Sequence, residues 1–183
     1  MKQFILASNS PRRRELLQQA GYNFKVVPSK LPENENHDLP PQTYVEHLAF
    51  TKASDVFSRE KMLCLGADTV VTLDGKILGK PANKPENERF LRALSGKSHY
   101  VYTGYAIVGE NIKIVGHVKT EVVFNNLSDQ LIKEYVSKGL GLDKAGGYGI
   151  QNDYPLVNRY IGSYTNVIGL PMEKINELLK ELL

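Results

Sequence analysis

Residues 62–73 form an almost unbroken apolar run, interrupted by Gly66, Asp68 and Thr69. A run of this kind suits a central strand buried on both faces, and it commits the chain to a sheet with layers on either side. This strand carries one carboxylate. Desolvating a free carboxylate is prohibitive, so Asp68 must be ion-paired, hydrogen-bonded or bound to a metal. At a strand end it can hold a divalent cation or activate water; the bland alternative is a structural Asp satisfied by turn N–H groups.

The surrounding pattern is that of an α/β protein with a mixed β-sheet and flanking helices. Phe4 to Ala7 reads as a short buried strand, broken by Ser8-Asn9-Ser10-Pro11. Ser10 and Pro11 are a good N-cap and first-turn pair for the helix that follows. Leu16, Leu17 and Ala20 would form its apolar face, and Gly21 sits where the helix should end. Phe24 to Val27 returns as a strand. Residues 29–42 are polar and proline-rich, a loop long enough to suspect function. A helix over 42–57 follows, with Val45, Leu48, Ala49 and Val56 as its stripe. Lys52 falls on that stripe, where a lysine either snorkels at the edge or points into a cleft.

Asp74-Gly75 signals a hairpin turn after the central strand, and residues 85–94 a short helix. Residues 98–124 alternate as two or three antiparallel strands. Residues 128–137 and 172–182 are amphipathic helices, the first with Leu131, Ile132, Tyr135 and Val136 facing inward. Between these two helices, residues 139–149 hold five glycines, so that backbone should approach something closely.

A chain of 183 residues with 42% hydrophobic content can fill one domain, or one domain cleft into two lobes. No internal repeat or linker divides it, so residues 1–183 are read as a single domain. Its 23 basic and 20 acidic residues leave a formal charge of only +3, which disfavours a nucleic-acid partner. The single cysteine, Cys64, suits a reducing compartment. No secretory or membrane-spanning segment is evident, so a soluble cytoplasmic protein is expected. A homodimer is admissible and not required.

Five constellations can carry chemistry. At Ser8-Asn9-Ser10-Pro11-Arg12-Arg13 a helix N-terminus offers free N–H groups to a phosphate. Arginines there oppose the helix dipole unless an anion compensates. Lys52 and Asp68 are the second and third. Gly79-Lys80-Pro81 is the fourth, since the proline restricts Lys80 to an extended backbone. The fifth is Asp143-Lys-Ala-Gly-Gly-Tyr-Gly-Ile-Gln151, whose glutamine offers a donor and an acceptor to a base edge. The four histidines, at 37, 47, 99 and 117, match neither a zinc site nor a triad.

Taken in order, Leu6-Ala-Ser-Asn-Ser-Pro-Arg-Arg, Gly66-Ala-Asp-Thr-Val-Val, Gly79-Lys-Pro, Ser95-Gly with His99 and Thr103-Gly104, the Asp143–Gln151 segment and Val167-Ile-Gly-Leu-Pro171 resemble the Maf family. The resemblance spans Leu6 to Pro171. It implies two lobes around a cleft, a fold related to the inosine-triphosphate pyrophosphatases, and hydrolysis of a nucleoside triphosphate between its α and β phosphates. It also implies a divalent cation, Mg²⁺ or Mn²⁺. Ser8, Arg13, Lys52 and Lys80 become phosphate-binding groups. Asp68 becomes the proton acceptor and, with Glu33, a metal ligand. Arg12, Thr69 and Gln151 become substrate-specificity positions. Two departures stand out: Pro32-Glu33 replaces the usual Asp-Glu, and Gly139-Leu140-Gly141 replaces Gly-Glu-Pro.

One branch of the family acts on dTTP and UTP, another on 7-methyl-GTP. The second resembles Ser-Pro-Trp-Arg, Ser-Asp-Gln and a Glu at the three positions where this chain has Arg12, Thr69 and Gln151. An aromatic ring and a carboxylate suit a cationic purine, whereas a glutamine amide suits uracil or thymine. The expected substrates are therefore dTTP and UTP, with modified pyrimidine nucleotides beside them. The family has also been linked to septum formation and division arrest, so a non-catalytic nucleotide-binding regulator is the rival reading.

Overall fold

A computed structural model describes residues 3–32 and 38–183. Its centre is the apolar run, which forms strand β3, Cys64–Leu73. Strands β1 (Phe4–Leu6) and β2 (Phe24–Val26) lie parallel beside it, and β4 (Lys76–Leu78) pairs with its far end in a hairpin. The hairpin turn places Asp74 at φ 51° and Gly75 at φ 76°, the double positive φ of a type I′ turn. On its other edge β3 pairs antiparallel with β5 (Ser98–Gly109), which continues to β6 (Ile112–Phe124) and β7 (Val157–Ile161). The sheet order is β2-β1-β3-β5-β6-β7, with β4 branching from β3. Residues 98–124 thus form two strands, joined at Gly109 to Ile112.

Residue parity along β3 decides what each face meets. Cys64, Gly66, Asp68 and Val70 face helix α2 (Pro41–Glu60), whose Val45, Leu48, Ala49 and Val56 are all buried as the stripe requires. That helix sits with backbone on backbone. A β-carbon at Gly66 would run into the Ala49 carbonyl, and one at Gly104 into the Val45 carbonyl. Only glycine permits such an approach.

The opposite face carries two separate helical groups. Leu65 and Ala67 pack with helices α1 (Pro11–Gln19) and, at the chain's end, Met172–Leu182. Val71 and Leu73 pack with α3 (Lys84–Leu94) and α4 (Asp129–Ser137). The two lobes are these two clusters, strung along the same strands, with the cleft between them. Helix α5 (Tyr164–Ile168) precedes α6, the terminal helix just described. Nothing in the hydrophobic pattern marked β7 or α5. Ala20, expected on the core face of α1, is exposed: the helix already ends there, with Ala20 as its cap and Gly21 at φ 77°.

Candidate active site

Strand β3 pairs with β1 as far as Leu65 and with β4 from Val71 onward. Between them its edge is open, at the carboxyl end of two parallel strands, where open α/β sheets place their ligands. A cavity of about 830 Å³ occupies this gap, within the size range of small-molecule sites. Its described lining holds seven Arg or Lys side chains against three Asp or Glu. The surplus of cationic groups gathered here already exceeds the +3 of the whole chain, so the cavity suits a polyanion.

Asp68 lies at the floor, 9% exposed, with Oδ1 accepting a hydrogen bond from Lys52 Nζ at 2.6 Å. Lys52 comes from α2, one turn beyond Leu48. Its place on the apolar stripe is thereby explained: it points into the cleft. Among the described residues Asp68 is neither an isolated charge nor satisfied by turn N–H groups.

The first turn of α1 forms the next wall. Ser10 caps the helix, its hydroxyl accepting from Arg13 N at 3.5 Å. Arg13 is itself buried. Its guanidinium donates to Gly169 O at 2.8 Å, Ser8 Oγ at 3.0 Å and Thr69 Oγ1 at 3.1 Å. Thr69 Oγ1 lies 2.9 Å from Thr103 Oγ1, which donates to Asn166 O at 3.0 Å. The Thr69 hydroxyl proton has two acceptors within reach, Thr103 Oγ1 at 2.9 Å and Gly169 O at 3.5 Å. By either route the bonds run from guanidinium to carbonyl.

Arg12 turns outward and across. Its NH1 donates to Asp143 Oδ2 at 2.7 Å and its NH2 to the Asp143 carbonyl at 3.0 Å. This is the anion that relieves an arginine at a helix N-terminus. Partial burial works against the Asp143 carboxylate, yet hydrogen bonds from Lys144 and Arg12 outweigh it and hold its pKa below the ordinary value.

The glycine-rich segment makes the facing wall. Gly146 N donates to Gly79 O at 3.0 Å, which ties the segment to the extended stretch carrying Lys80. Asn87, fully buried on α3, donates from Nδ2 to Gly147 O at 2.7 Å, and a β-carbon at Gly141 would collide with the Gly147 carbonyl. His99 Nε2 lies 2.7 Å from the Tyr148 hydroxyl. Leu140, one of the two departures from the family pattern, packs against the α3/α4 cluster, and its carbonyl accepts from Lys144 Nζ at 2.7 Å. Lys80 and Gln151 are exposed at the cavity's edge.

Ser8, Arg12, Arg13, Lys52, Asp68, Thr69, Lys80 and Gln151 therefore line one cavity. Glu33 lies outside the described residues. Thr103 and Asp143 stood in the quoted motifs with no role assigned to them, and Asn87 and Asn166 were not singled out. Asn87 sits in the polar stretch Lys84-Pro-Glu-Asn-Glu-Arg, where nothing marks it as buried.

Among the described residues no cluster of three His, Cys, Asp or Glu could hold a metal ion. Asp68 alone still suits Mg²⁺, which keeps most of its waters and is commonly held by one or two carboxylates together with substrate phosphates. The donor set fits an ion shared with a substrate and does not form a closed protein cage.

The family model described as "Maf-like protein" matches residues 3–182. A dTTP/UTP pyrophosphatase of Thermococcus onnurineus is 48% identical over 178 residues, covering 95% of this chain and 96% of that one. A dTTP/UTP pyrophosphatase of Bacillus pumilus is 44% identical over 182 residues, covering 98% and 96%. In fold, the chain is similar to a HAM1 protein from Coxiella burnetii, with a TM-score of 0.61 at 16% identity over 99% of this chain and 100% of that one.

Proposed function

The chain belongs to the Maf family, and from that premise we propose that it hydrolyses nucleoside triphosphates, dTTP and UTP above all, to the monophosphate and pyrophosphate. The observation that carries the reading is Asp68, a carboxylate held at the open edge of β3 inside a cationic cavity. A binding module for a polyanion needs the cations but gains nothing from a buried carboxylate aimed at the same space. This favours hydrolysis over the rival reading of a non-catalytic regulator.

A triphosphate carries about four negative charges, and its phosphoryl-transfer transition state asks for positioning and charge neutralisation more than covalent help. Arg13, Lys52 and Lys80, with Ser8 and the N–H groups of its turn, would hold the phosphates. Asp68 would orient the attacking water and take its proton, with Lys52 keeping the carboxylate aimed. Asp68, with Glu33, would hold Mg²⁺ or Mn²⁺, whose chemistry is to neutralise phosphate oxygens and acidify water. Gln151, Arg12 and Thr69 would read the base. The support for the pyrimidine preference is that relatives bearing that name match nearly the whole chain. A cytoplasmic location accords with the single cysteine, and no described helix is long and apolar enough to cross a membrane.

The test is to incubate the purified protein with dTTP, UTP, ATP, GTP and 7-methyl-GTP in Mg²⁺ and to identify the phosphate released. Pyrophosphate from dTTP and UTP is expected, stopped by EDTA and restored by Mg²⁺ or Mn²⁺. Orthophosphate as the first product, or no hydrolysis at all, would overturn the proposal.

A further inference from the structure

Gln151 occupies the third position of a four-residue turn, Gly149 to Asn152, closed by Asn152 N donating to Gly149 O at 3.2 Å. The side chain of Gln151 is exposed and has no hydrogen bond to protein among the described residues. What the protein holds is the backbone of its turn. Both ends of its turn converge on one atom. Gly149 N donates to the Tyr135 hydroxyl at 3.1 Å, and that hydroxyl donates to Asn152 Oδ1 at 2.7 Å. Tyr135 stands on α4, fully buried and outside the cavity lining.

From this geometry we infer that Tyr135 is a positioning residue for substrate selection, its hydroxyl clamping the turn that presents Gln151 to the base. The inference rests on the proposed role of Gln151. The clamp uses the phenol as acceptor and donor at once, which requires the neutral form. A tyrosine is neutral at ordinary pH, and burial extends that into alkali by pushing the Tyr135 phenol up to about 12. The ring is fixed independently by Tyr154, edge-on at a centroid distance of 5.2 Å. The turn itself leaves no slack: a β-carbon at Gly149 would stand 2.6 Å from Asn152 Oδ1, the oxygen that Tyr135 holds. A tyrosine buried only for packing would need one partner for its hydroxyl. This one has two, placed on either side of the residue that faces the cleft.

Tyr135→Phe keeps the ring and removes both bonds. We expect kcat/KM for dTTP and UTP to fall about tenfold, chiefly through KM, with selectivity over ATP and GTP narrowed in proportion. The double variant with Gln151→Ala should be no worse than Gln151→Ala alone, within about twofold, because both act through one side chain. Asn152→Ala, which cuts half the clamp from the surface side, should show the same pattern to a smaller degree and guards against a folding defect in Tyr135→Phe. A separate reading, independent of catalysis, is hydrogen exchange: the Gly149 amide should exchange at least about tenfold faster in Tyr135→Phe as its buried partner is lost. Unchanged Gly149 exchange, additive losses in the double variant, or an equal fall in kcat for all nucleotides would overturn the inference. Absence of hydrolysis by the unmodified protein overturns the proposed function instead. Calorimetric affinities for the same nucleotides then judge the clamp by the same selectivity criterion.

Discussion

On one side of the cleft, Asp68, Thr69 and Lys52 stand on a central strand and a long helix, while Arg13 is locked by three hydrogen bonds. On the other side, Lys80 on an extended stretch and Gln151 on a turn are both exposed, and their segments are held by a few tethers from α3, α4 and β5. The first wall is built of regular elements with buried polar groups already paired. The second is glycine-rich and depends on single contacts. Reacting groups need sub-ångström placement, which rigid elements give. Recognition of a base tolerates, and gains from, a wall that can be altered without moving the chemistry. The difference divides the expected effects of mutation at the two extremes: turnover at Asp68 on the strand side, selectivity at Gln151 on the loop side.

The largest effect should come from Asp68→Asn. The amide preserves shape and loses charge and basicity, so kcat should fall by about two to four orders of magnitude with nucleotide affinity retained. Near-normal turnover with an unchanged metal requirement would break the division at its strongest point.

Acid should act on the loop side first. His99 Nδ1 is buried without a hydrogen-bond partner among the described residues, and burial lowers its pKa from 6.5 to about 4. An imidazolium there would need two acceptors and has one. Because the folded value lies below the unfolded one, the unfolded chain binds the proton first as pH falls. The contribution is fully present above about pH 6.5 and is lost progressively down to about pH 4, at a cost of about 3 kcal/mol. Denaturant titrations across that window should show a shallower pH dependence in His99→Gln than in the wild type. Identical slopes would mean that His99 is not held neutral against Tyr148.

The smallest effect distinguishes recognition from chemistry. Gln151→Glu should reduce kcat/KM for dTTP and UTP by about tenfold or more while changing kcat at saturation by less than about threefold. A loss confined to kcat would move Gln151 from the recognising wall to the reacting one.

The strand wall was largely legible in the sequence. An apolar run with one carboxylate, a lysine on an apolar stripe and a Ser-Pro helix start are local patterns, and each folded as its local chemistry dictates. The resemblance to a family then gathered them into one site. The tethers were not legible in that way. Arg12 meets Asp143 across 131 positions of sequence, and Arg13 meets Gly169 across 156. No periodicity encodes such pairs. Tyr135 read correctly as an inward residue of an amphipathic helix, but nothing in that pattern says what a buried hydroxyl will find. Strand β7 escaped because most of its residues are exposed, so it lacks the alternation that marks a half-buried strand.

The seating of α2 on Gly66 and Gly104 has a consequence for how the protein can vary over time. A helix resting on side chains rides up or settles whenever a neighbour gains or loses a methyl group. One resting on carbonyl oxygens has a mechanical stop. The separation of Lys52 from Asp68 is therefore gauged by the main chain, and loss of a methyl group at Val56 or Val70 can alter stability without letting the helix settle onto that pair. Drift in the core and constancy at the reacting carboxylate become compatible. Two missing side chains leave the others free to change.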